Sequence, residues 1–116
     1  MNNNVVFIRQ GLEINPYLCL WEAVCKLESN NNPLAYNAKE QATGIAQIRP
    51  ILVRDYNQRT GSKYIIEDMY DVEISKEIFM YYASQFGPYQ YEKIARKWNG
   101  SGPMTDVYWE NIKRLL

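Results

Sequence analysis

Apolar residues recur at helical spacing near the start of the chain. They lie three or four positions apart, which places their side chains on one face of a helix. The recurring positions are Tyr17, Trp21, Val24 and Leu27 or Glu28. Asn15-Pro16 is typical of an N-cap followed by proline at the first helical position, and Pro33 disfavours helix in the residue before it. The pattern predicts a core helix over residues 16–29, ended by a run of asparagines, and then a loop to about residue 42.

The rest of the chain carries further helical patterns separated by turn residues. Thr43 and Thr105 are placed to cap helices, Pro50 can open one, and Gly61 and Gly87 can end two others. The predicted helical segments cover residues 43–48, 50–60, 71 or 72 to 86, 91–97 and 105–116. Residues 63–70 are ambiguous, and a short β element over residues 63–66 stays open.

These segments predict the fold class. No repeat or alternating strand pair stands out, so we expect an all-α or mostly α domain of five to seven short helices. A chain of 116 residues has the length of one domain, and it buries roughly two-thirds of its unfolded surface. We therefore treat residues 1–116 as a single domain. The composition, 47% hydrophobic and 22% charged, is that of a globular protein.

Charge and residue usage narrow the chemistry. Thirteen Lys and Arg balance thirteen Asp and Glu, and no run of like charge occurs. The sequence therefore indicates no long-range electrostatic field that would attract nucleic acid or anionic lipid. A neutral polymer is the natural partner. The chain has no His, and therefore lacks His-assisted nucleophiles and the commonest metal ligand. We expect carboxylate chemistry that needs no metal and no other cofactor.

The two cysteines, Cys19 and Cys25, are not placed to form a disulfide. On one helix they stand about 9 Å apart along the axis, beyond the reach of that bond, so we expect two buried free thiols. No apolar run approaches the ~20 residues that a membrane span needs.

Glu28 is the carboxylate whose position is unusual. It lies one turn beyond Val24 and two beyond Trp21, on the flank of the predicted core face. Partial burial disfavours the ionised carboxylate, and the negative end of the helix dipole does the same, so we predict a raised pKa. A shift from ~4.3 to ~6 takes about 2.3 kcal/mol and leaves roughly a tenth of the group protonated at neutral pH. When the position is considered alone, a helix-end glutamate turned to water is the favoured interpretation.

Three segments around Glu28 and farther along resemble the soluble lytic transglycosylases and the related goose-type lysozymes. They are residues 28–35 (ESNNNPLA), 43–48 (TGIAQI) and 97–100 (KWNG). In that family a catalytic glutamate is followed by serine, a turn with Pro-x-Ala, a Gly-Leu-Met-Gln segment and later Ala-Tyr-Asn. The resemblance covers about residues 18–109 and implies a compact lysozyme-like helical domain. The departures are Gln41 for glycine, Ala46 for methionine, Trp98 for tyrosine, and Ser101 within the usual glycine pair; they concern subsite detail more than chemistry.

The resemblance implies that Glu28 is catalytic and that Ser29, Gln47 and Asn99 bind substrate. Each of the three has a structural alternative: Ser29 can cap the helix end, Gln47 can be a solvated helical residue, and Asn99 before glycine is an ordinary helix C-terminal signal. Aromatic faces with polar tips suit stacking on sugar rings. From ten tyrosines and three tryptophans we choose Tyr82 and Trp98 for the cleft, with Tyr81 as the alternative to Tyr82. We assign Trp21, Trp109, Tyr17 and Phe79 to packing.

The resemblance also implies a reaction. Glu28 would protonate the oxygen between N-acetylmuramic acid and N-acetylglucosamine in peptidoglycan and then deprotonate the muramic 6-hydroxyl, which leaves a 1,6-anhydro ring. A lysozyme-type hydrolase needs a second carboxylate, for which the nominal candidates are Glu40, Asp55, Asp68 and Asp71. A non-catalytic glycan-binding module is the third alternative.

Partner and location follow from that substrate. We expect the glycan strand of peptidoglycan as partner, no nucleic acid, no membrane span, and a monomer. The protein would act on the cell wall, in the periplasm or outside the cell, although the polar start Met1-Asn2-Asn3-Asn4 is not typical of a secretory signal.

Overall fold

The computed structural model describes residues 8–9, 12–13, 15–100 and 102–116. Residues 1–4 and Ser101, both used in the sequence argument, lie outside the described residues. Within these described residues, two pairs of two-residue antiparallel strands accompany five α-helices and one 3-10 helix. In chain order the elements are β1 (Ile8–Arg9), β2 (Leu12–Glu13), α1 (Leu18–Ser29), β3 (Tyr36–Asn37), β4 (Ala42–Thr43), α2 (Pro50–Thr60), the 3-10 helix (Ile66–Tyr70), α3 (Val72–Ala83), α4 (Tyr91–Asn99) and α5 (Thr105–Leu115). The prediction of a mostly helical fold is confirmed.

Helix α1 ends where the sequence predicts but begins two residues later. The side-chain oxygen of Asn15 accepts from the Tyr17 amide at 2.8 Å, so Asn15 forms a turn ahead of the helix and does not cap it. At the other end, Asn30 and Asn31 have φ values of 54° and 63°. Asparagine tolerates this left-handed conformation better than most residues, and the chain therefore turns sharply away after Ser29.

The segment after α1 contains the main correction. We predicted a loop to about residue 42 and a helical turn over 43–48 capped by Thr43; instead, β3 and β4 form a hairpin, with Tyr36 opposite Thr43 and Asn37 opposite Ala42. Thr43 then bridges to Ile48 across a turn, and its hydroxyl donates to the Gln41 carbonyl. Two-residue strands are too short to show a period of two, which is why the pattern misses them.

The remaining segments follow the prediction with four corrections. Helix α2 begins at Pro50 and ends at Thr60, directly before Gly61, as expected, whereas α4 extends to Asn99, two residues beyond its predicted end at Lys97. The β element left open over residues 63–66 does not form, because residues 63–65 have no helix or strand and Ile66 begins the 3-10 helix. Helix α3 is capped by Asp71, whose side chain accepts from two backbone amides, but it ends at Ala83, four residues before Gly87. Thr105 is the first residue of α5 and not its cap, and its hydroxyl is buried without a partner among the described residues.

The core lies around α1, which contacts α4 and α5, while α3 contacts α4 and the 3-10 helix. Phe79 and Leu20 are fully buried, and Trp21 packs against Phe79 with ring centroids 5.4 Å apart. Burial of each such side chain stabilises the fold by about 1.5–3 kcal/mol. Trp109 and Tyr17 are partly buried against the same core, so all four aromatics assigned to packing do pack there.

Both cysteines are free, as predicted, but only one is buried. Cys19 is exposed on α1, whereas burial raises the pKa of the Cys25 thiol to about 12. Cys25 is thus an inert core side chain at neutral pH. Within the described residues, none of the helices is long and apolar enough to cross a membrane.

Candidate functional site

A cleft of about 480 Å³ opens where the end of α1 meets the hairpin, the start of α2 and the end of α4. The turns between these elements bring their termini to one surface, so residues far apart in sequence share one wall. The lining residues are Glu28, Asn37, Glu40, Ala42, Gln47, Ile48, Arg49, Ile51, Leu52, Lys97, Trp98, Asn99 and Gly100. Four of the six site residues predicted from sequence, Glu28, Gln47, Trp98 and Asn99, are among them.

Glu28 is the second-last residue of α1 and is partly buried at the cleft. Burial raises its pKa from the ordinary value of 4.5 to about 6, because the ionised carboxylate loses contact with water. The neighbouring negative charge of Glu40 acts in the same direction, while a hydrogen bond from Tyr108 and the positive charge of Arg49 oppose it. The predicted upward shift is therefore confirmed, with burial as its main cause.

Tyr108 on α5 is a site residue that the sequence reasoning missed. Its hydroxyl donates to Glu28 Oε2 at 2.9 Å, and its side chain is buried. Burial, and after it the nearby Glu28 carboxylate, raises the pKa of Tyr108, so the phenol stays protonated and remains a donor. One carboxylate oxygen is thus held in place while the other stays available to a ligand. The two residues are 80 positions apart, and no local pattern relates them.

Gln47 lies in the turn between β4 and α2 with φ of 52°. Its amide Nε2 donates to the carbonyl of Ala35 at 3.2 Å and to that of Gly44 at 3.0 Å. The amide orientation follows from these two acceptors. Both donor hydrogens are therefore used by the protein, and the side chain presents its Oε1 oxygen as an acceptor at the cleft. An N–H group of a ligand is the natural partner for this oxygen.

Trp98 and Asn99 occupy the last turn of α4. The Trp98 ring makes an edge-to-face contact with Phe79, centroids 5.0 Å apart, which anchors the indole to the core while part of it lines the cleft. Gly100, with φ of 107°, ends the helix directly after Asn99. Asn99 therefore serves as the helix end and as a cleft residue at once, and the two readings of it do not compete.

Ser29 and Tyr82 are not among the residues that line the cleft. The Ser29 hydroxyl donates to the Ile45 carbonyl at 2.7 Å and accepts from the Asn32 amide at 3.1 Å, so it ties the end of α1 to the turn that holds Gln47. Tyr82 donates its hydroxyl to Asp55 on α2. Tyr81, the alternative, packs edge-to-face on Tyr56.

Of the four carboxylates considered as a second catalytic group, Glu40 is the one that lines the cleft. Asp68 and Asp71 accept backbone amides at the starts of the 3-10 helix and α3, and Asp55 is bonded to Arg59 and Tyr82. Arg49, which the sequence reasoning did not single out, and Lys97, from the KWNG segment, bring two positive charges to the cleft that holds Glu28 and Glu40.

The described residues contain no group of three or more Cys, Asp or Glu side chains that could hold a metal ion. The groups that line the cleft are two carboxyl groups, of which Glu28 has a raised pKa, together with amides, an indole and two cations. Comparison of the chain with family models, with curated proteins and with solved structures gives no match.

Proposed function

We propose that this protein is a lytic transglycosylase that cleaves the glycan strand of peptidoglycan with Glu28 as its single general acid and base. The observation that carries the proposal is the state of Glu28, which faces a cleft with a pKa of about 6 and one oxygen held by Tyr108. A general acid works best when its pKa lies near the working pH. The choice of peptidoglycan as the substrate rests on the resemblance of residues 28–35, 43–48 and 97–100 to the transglycosylases.

In the proposed reaction, protonated Glu28 donates its proton to the oxygen between N-acetylmuramic acid and N-acetylglucosamine. The bond from that oxygen to the muramic C1 breaks, and the sugar's own N-acetyl group stabilises the positive charge at C1. Glu28, now ionised, takes the proton of the muramic 6-hydroxyl as its oxygen attacks C1. The carboxylic acid is restored, water is not consumed, and the product carries a 1,6-anhydro ring.

The other cleft residues match the features of this substrate. The acceptor oxygen of Gln47 suits the N–H of an acetamido group, Asn99 can both donate and accept, and the Trp98 indole offers an apolar surface to a sugar ring. Arg49 and Lys97 suit the carboxylates of an attached peptide, or the lactyl carboxylate of a muramic residue that carries no peptide. These roles all belong to the proposal.

Glu40 favours a second candidate, a muramidase that hydrolyses the same bond. It lines the cleft with Glu28 and raises the pKa of Glu28 through its charge, which supports a role for Glu40 in activating a water molecule. Enzymes that invert by this route use two carboxylates on opposite sides of the bond. Transglycosylation with Glu28 as both acid and base needs no second carboxylate.

Mass analysis of the products from purified peptidoglycan separates the two candidates. Transglycosylation yields fragments with 1,6-anhydro ends, each one water lighter than the reducing-end fragments of hydrolysis. We expect anhydro products, and we expect Glu40→Gln to keep most of the activity. If the wild type instead releases reducing-end products, and Glu40→Gln releases none, the protein is a muramidase and the transglycosylase proposal is rejected.

The third alternative, a glycan-binding module that does not cleave its ligand, is tested with the same peptidoglycan. A suspension of cell walls loses turbidity when the wild type cleaves it, and the Glu28→Gln variant should bind the walls without clearing them. Binding by the wild type with no clearing and no soluble fragments would reject both enzymatic candidates.

A further inference from the structure

A second concave site of about 290 Å³ lies on the other side of the β3–β4 hairpin from the cleft. Strand residues alternate between the two faces of a hairpin. The opposed pair Asn37 and Ala42 faces the cleft, and the neighbouring pair Tyr36 and Thr43 faces the second site. The full lining is Tyr36, Gln41, Thr43, Ile66, Glu67 and Tyr70. The hairpin therefore forms a shared wall between the two sites.

The walls of this second site are held rigidly. Gly44 approaches the 3-10 helix so closely that a Cβ atom would lie 1.9 Å from the Met69 carbonyl oxygen, and its φ of 85° also favours glycine. The Ser75 hydroxyl donates to that same carbonyl at 2.8 Å. The hairpin and the 3-10 helix are thus fixed relative to each other. A ligand between them would bind to a preformed surface and would not have to order it.

The lining combines exposed aromatic rings with hydrogen-bonding groups. Tyr36 is 52% exposed and Tyr70 is 37% exposed, one on each wall. Gln41 is held at φ of 56° in the hairpin turn, a conformation that is strained for a residue other than glycine. Glu67 supplies a carboxylate on the opposite wall. Tyrosine faces flanked by an amide and a carboxylate suit a pyranose ring, whose C–H face stacks and whose hydroxyls bond.

We propose that this second site binds a sugar residue of a glycan chain, so that the protein holds its polymer on both sides of the hairpin. Stacking and neutral hydrogen bonds carry the recognition, since Glu67 is the sole charged residue among the described lining residues. That the glycan is a polymer of N-acetylhexosamines rests on the proposed function, whereas the binding of a sugar ring is argued from the lining residues alone. Such a site would raise affinity for long or insoluble glycan through a second attachment without changing the chemistry at Glu28.

Nuclear magnetic resonance titration locates the binding. We would add a soluble β-1,4-linked oligomer of N-acetylglucosamine to the Glu28→Gln variant and follow the backbone amides. Shifts at Tyr36, Gln41 and Tyr70 together with shifts at the cleft support the inference. Shifts at these three positions alone support it too, but they count against the proposed function. Shifts confined to the cleft overturn it, as do shifts produced at the second site by a free stem peptide and not by the sugar.

Sedimentation with insoluble peptidoglycan measures how much the second site contributes to binding. Replacing Tyr36 and Tyr70 together by Ala should weaken binding by about two- to twelve-fold per ring, while turnover of short soluble fragments stays unchanged. The double change to Phe keeps the rings and should keep most of the binding. Tyr89→Ala is the matched control, because Tyr89 is also 52% exposed but lies between α3 and α4, outside the second site's lining. Equal binding by the double Ala variant and Tyr89→Ala, with unchanged melting, overturns the inference.

Discussion

Among the described residues, two glutamates accept hydrogen bonds from tyrosine, and the two differ in burial. Glu28 accepts one bond, from Tyr108 at 2.9 Å, in a partly buried position at the cleft. Glu77 on α3 accepts bonds from Tyr56 at 2.6 Å and Tyr64 at 2.9 Å, and it is exposed. The same pair of functional groups therefore occurs in two different surroundings.

The difference between them lies in solvation and in spare hydrogen-bonding capacity. Both oxygens of Glu77 are occupied by phenols, and water reaches the group, so this carboxylate links α2 and the segment before the 3-10 helix to α3. Glu28 loses water without gaining enough bonds in return, which raises its pKa to about 6. A tyrosine partner alone does not raise the pKa of a carboxyl group; burial that hydrogen bonds do not fully compensate does.

Replacing each glutamate by glutamine should give the largest difference in cleavage between the two positions. Glu28→Gln keeps size and hydrogen bonding but cannot transfer a proton, so peptidoglycan cleavage should fall by at least ~10² while binding survives. Glu77→Gln, the matched control, should cleave at the wild-type rate. Product release from digested cell walls measures both variants. Undiminished cleavage by Glu28→Gln would remove Glu28 from the reaction.

The same substitution should change stability in a pH-dependent way. The pKa of Glu28 is raised from 4.5 to about 6 on folding, so the folded state binds the proton more tightly and loses stability as pH rises from 4.5 to 6. Above this window the ionised group costs about 2 kcal/mol, and below it nothing. Glu28→Gln should therefore be more stable than the wild type at pH 7 and equal to it near pH 4. Urea unfolding at both values tests this, and a constant difference between the two proteins would contradict it.

Removing one tyrosine hydroxyl from each pair should shift activity at one glutamate only. Tyr108→Phe deletes a bond that lowers the pKa of Glu28, so that pKa should rise above about 6 and the alkaline limb of the activity profile should move to higher pH. Tyr64→Phe removes the corresponding bond to Glu77 and should leave the profile in place. A profile that stays in place in Tyr108→Phe would show that Glu28 does not set the alkaline limb.

The smallest effects belong to the residues at the rim of the cleft. Asn99→Ala and Gln47→Ala should each lower turnover by roughly two- to twelve-fold, the effect of one neutral hydrogen bond of about 0.5–1.5 kcal/mol. Gln47→Ala should also melt lower, because Nε2 ties two backbone carbonyls. Gln58→Ala, at an exposed position of α2, is the control. Wild-type turnover in either variant would exclude that residue from substrate binding.

Much of this fold is encoded locally and could be predicted from the sequence. Helix α2 follows from Pro50 at its start and Gly61 at its end, and α4 from its stop at Gly100, because capping and backbone conformation depend on neighbouring residues. The end of α1 and the raised pKa of Glu28 follow from the apolar pattern and the asparagines after it. The prediction failed for β3 and β4, whose two-residue strands pair across a turn and carry no periodic signal.

The sequence alone indicated a helical domain and six site residues, of which Glu28, Gln47, Trp98 and Asn99 line the cleft, whereas Ser29 and Tyr82 do not. Only the tertiary structure decided what surrounds these residues: Tyr108 from the last helix bonds the carboxylate, Glu40 from the hairpin shares the cleft, and Ser29 turns its hydroxyl to the backbone. The physical reason is range. Helix signals act over a few residues, whereas burial and hydrogen bonding at the site join side chains as many as 80 positions apart.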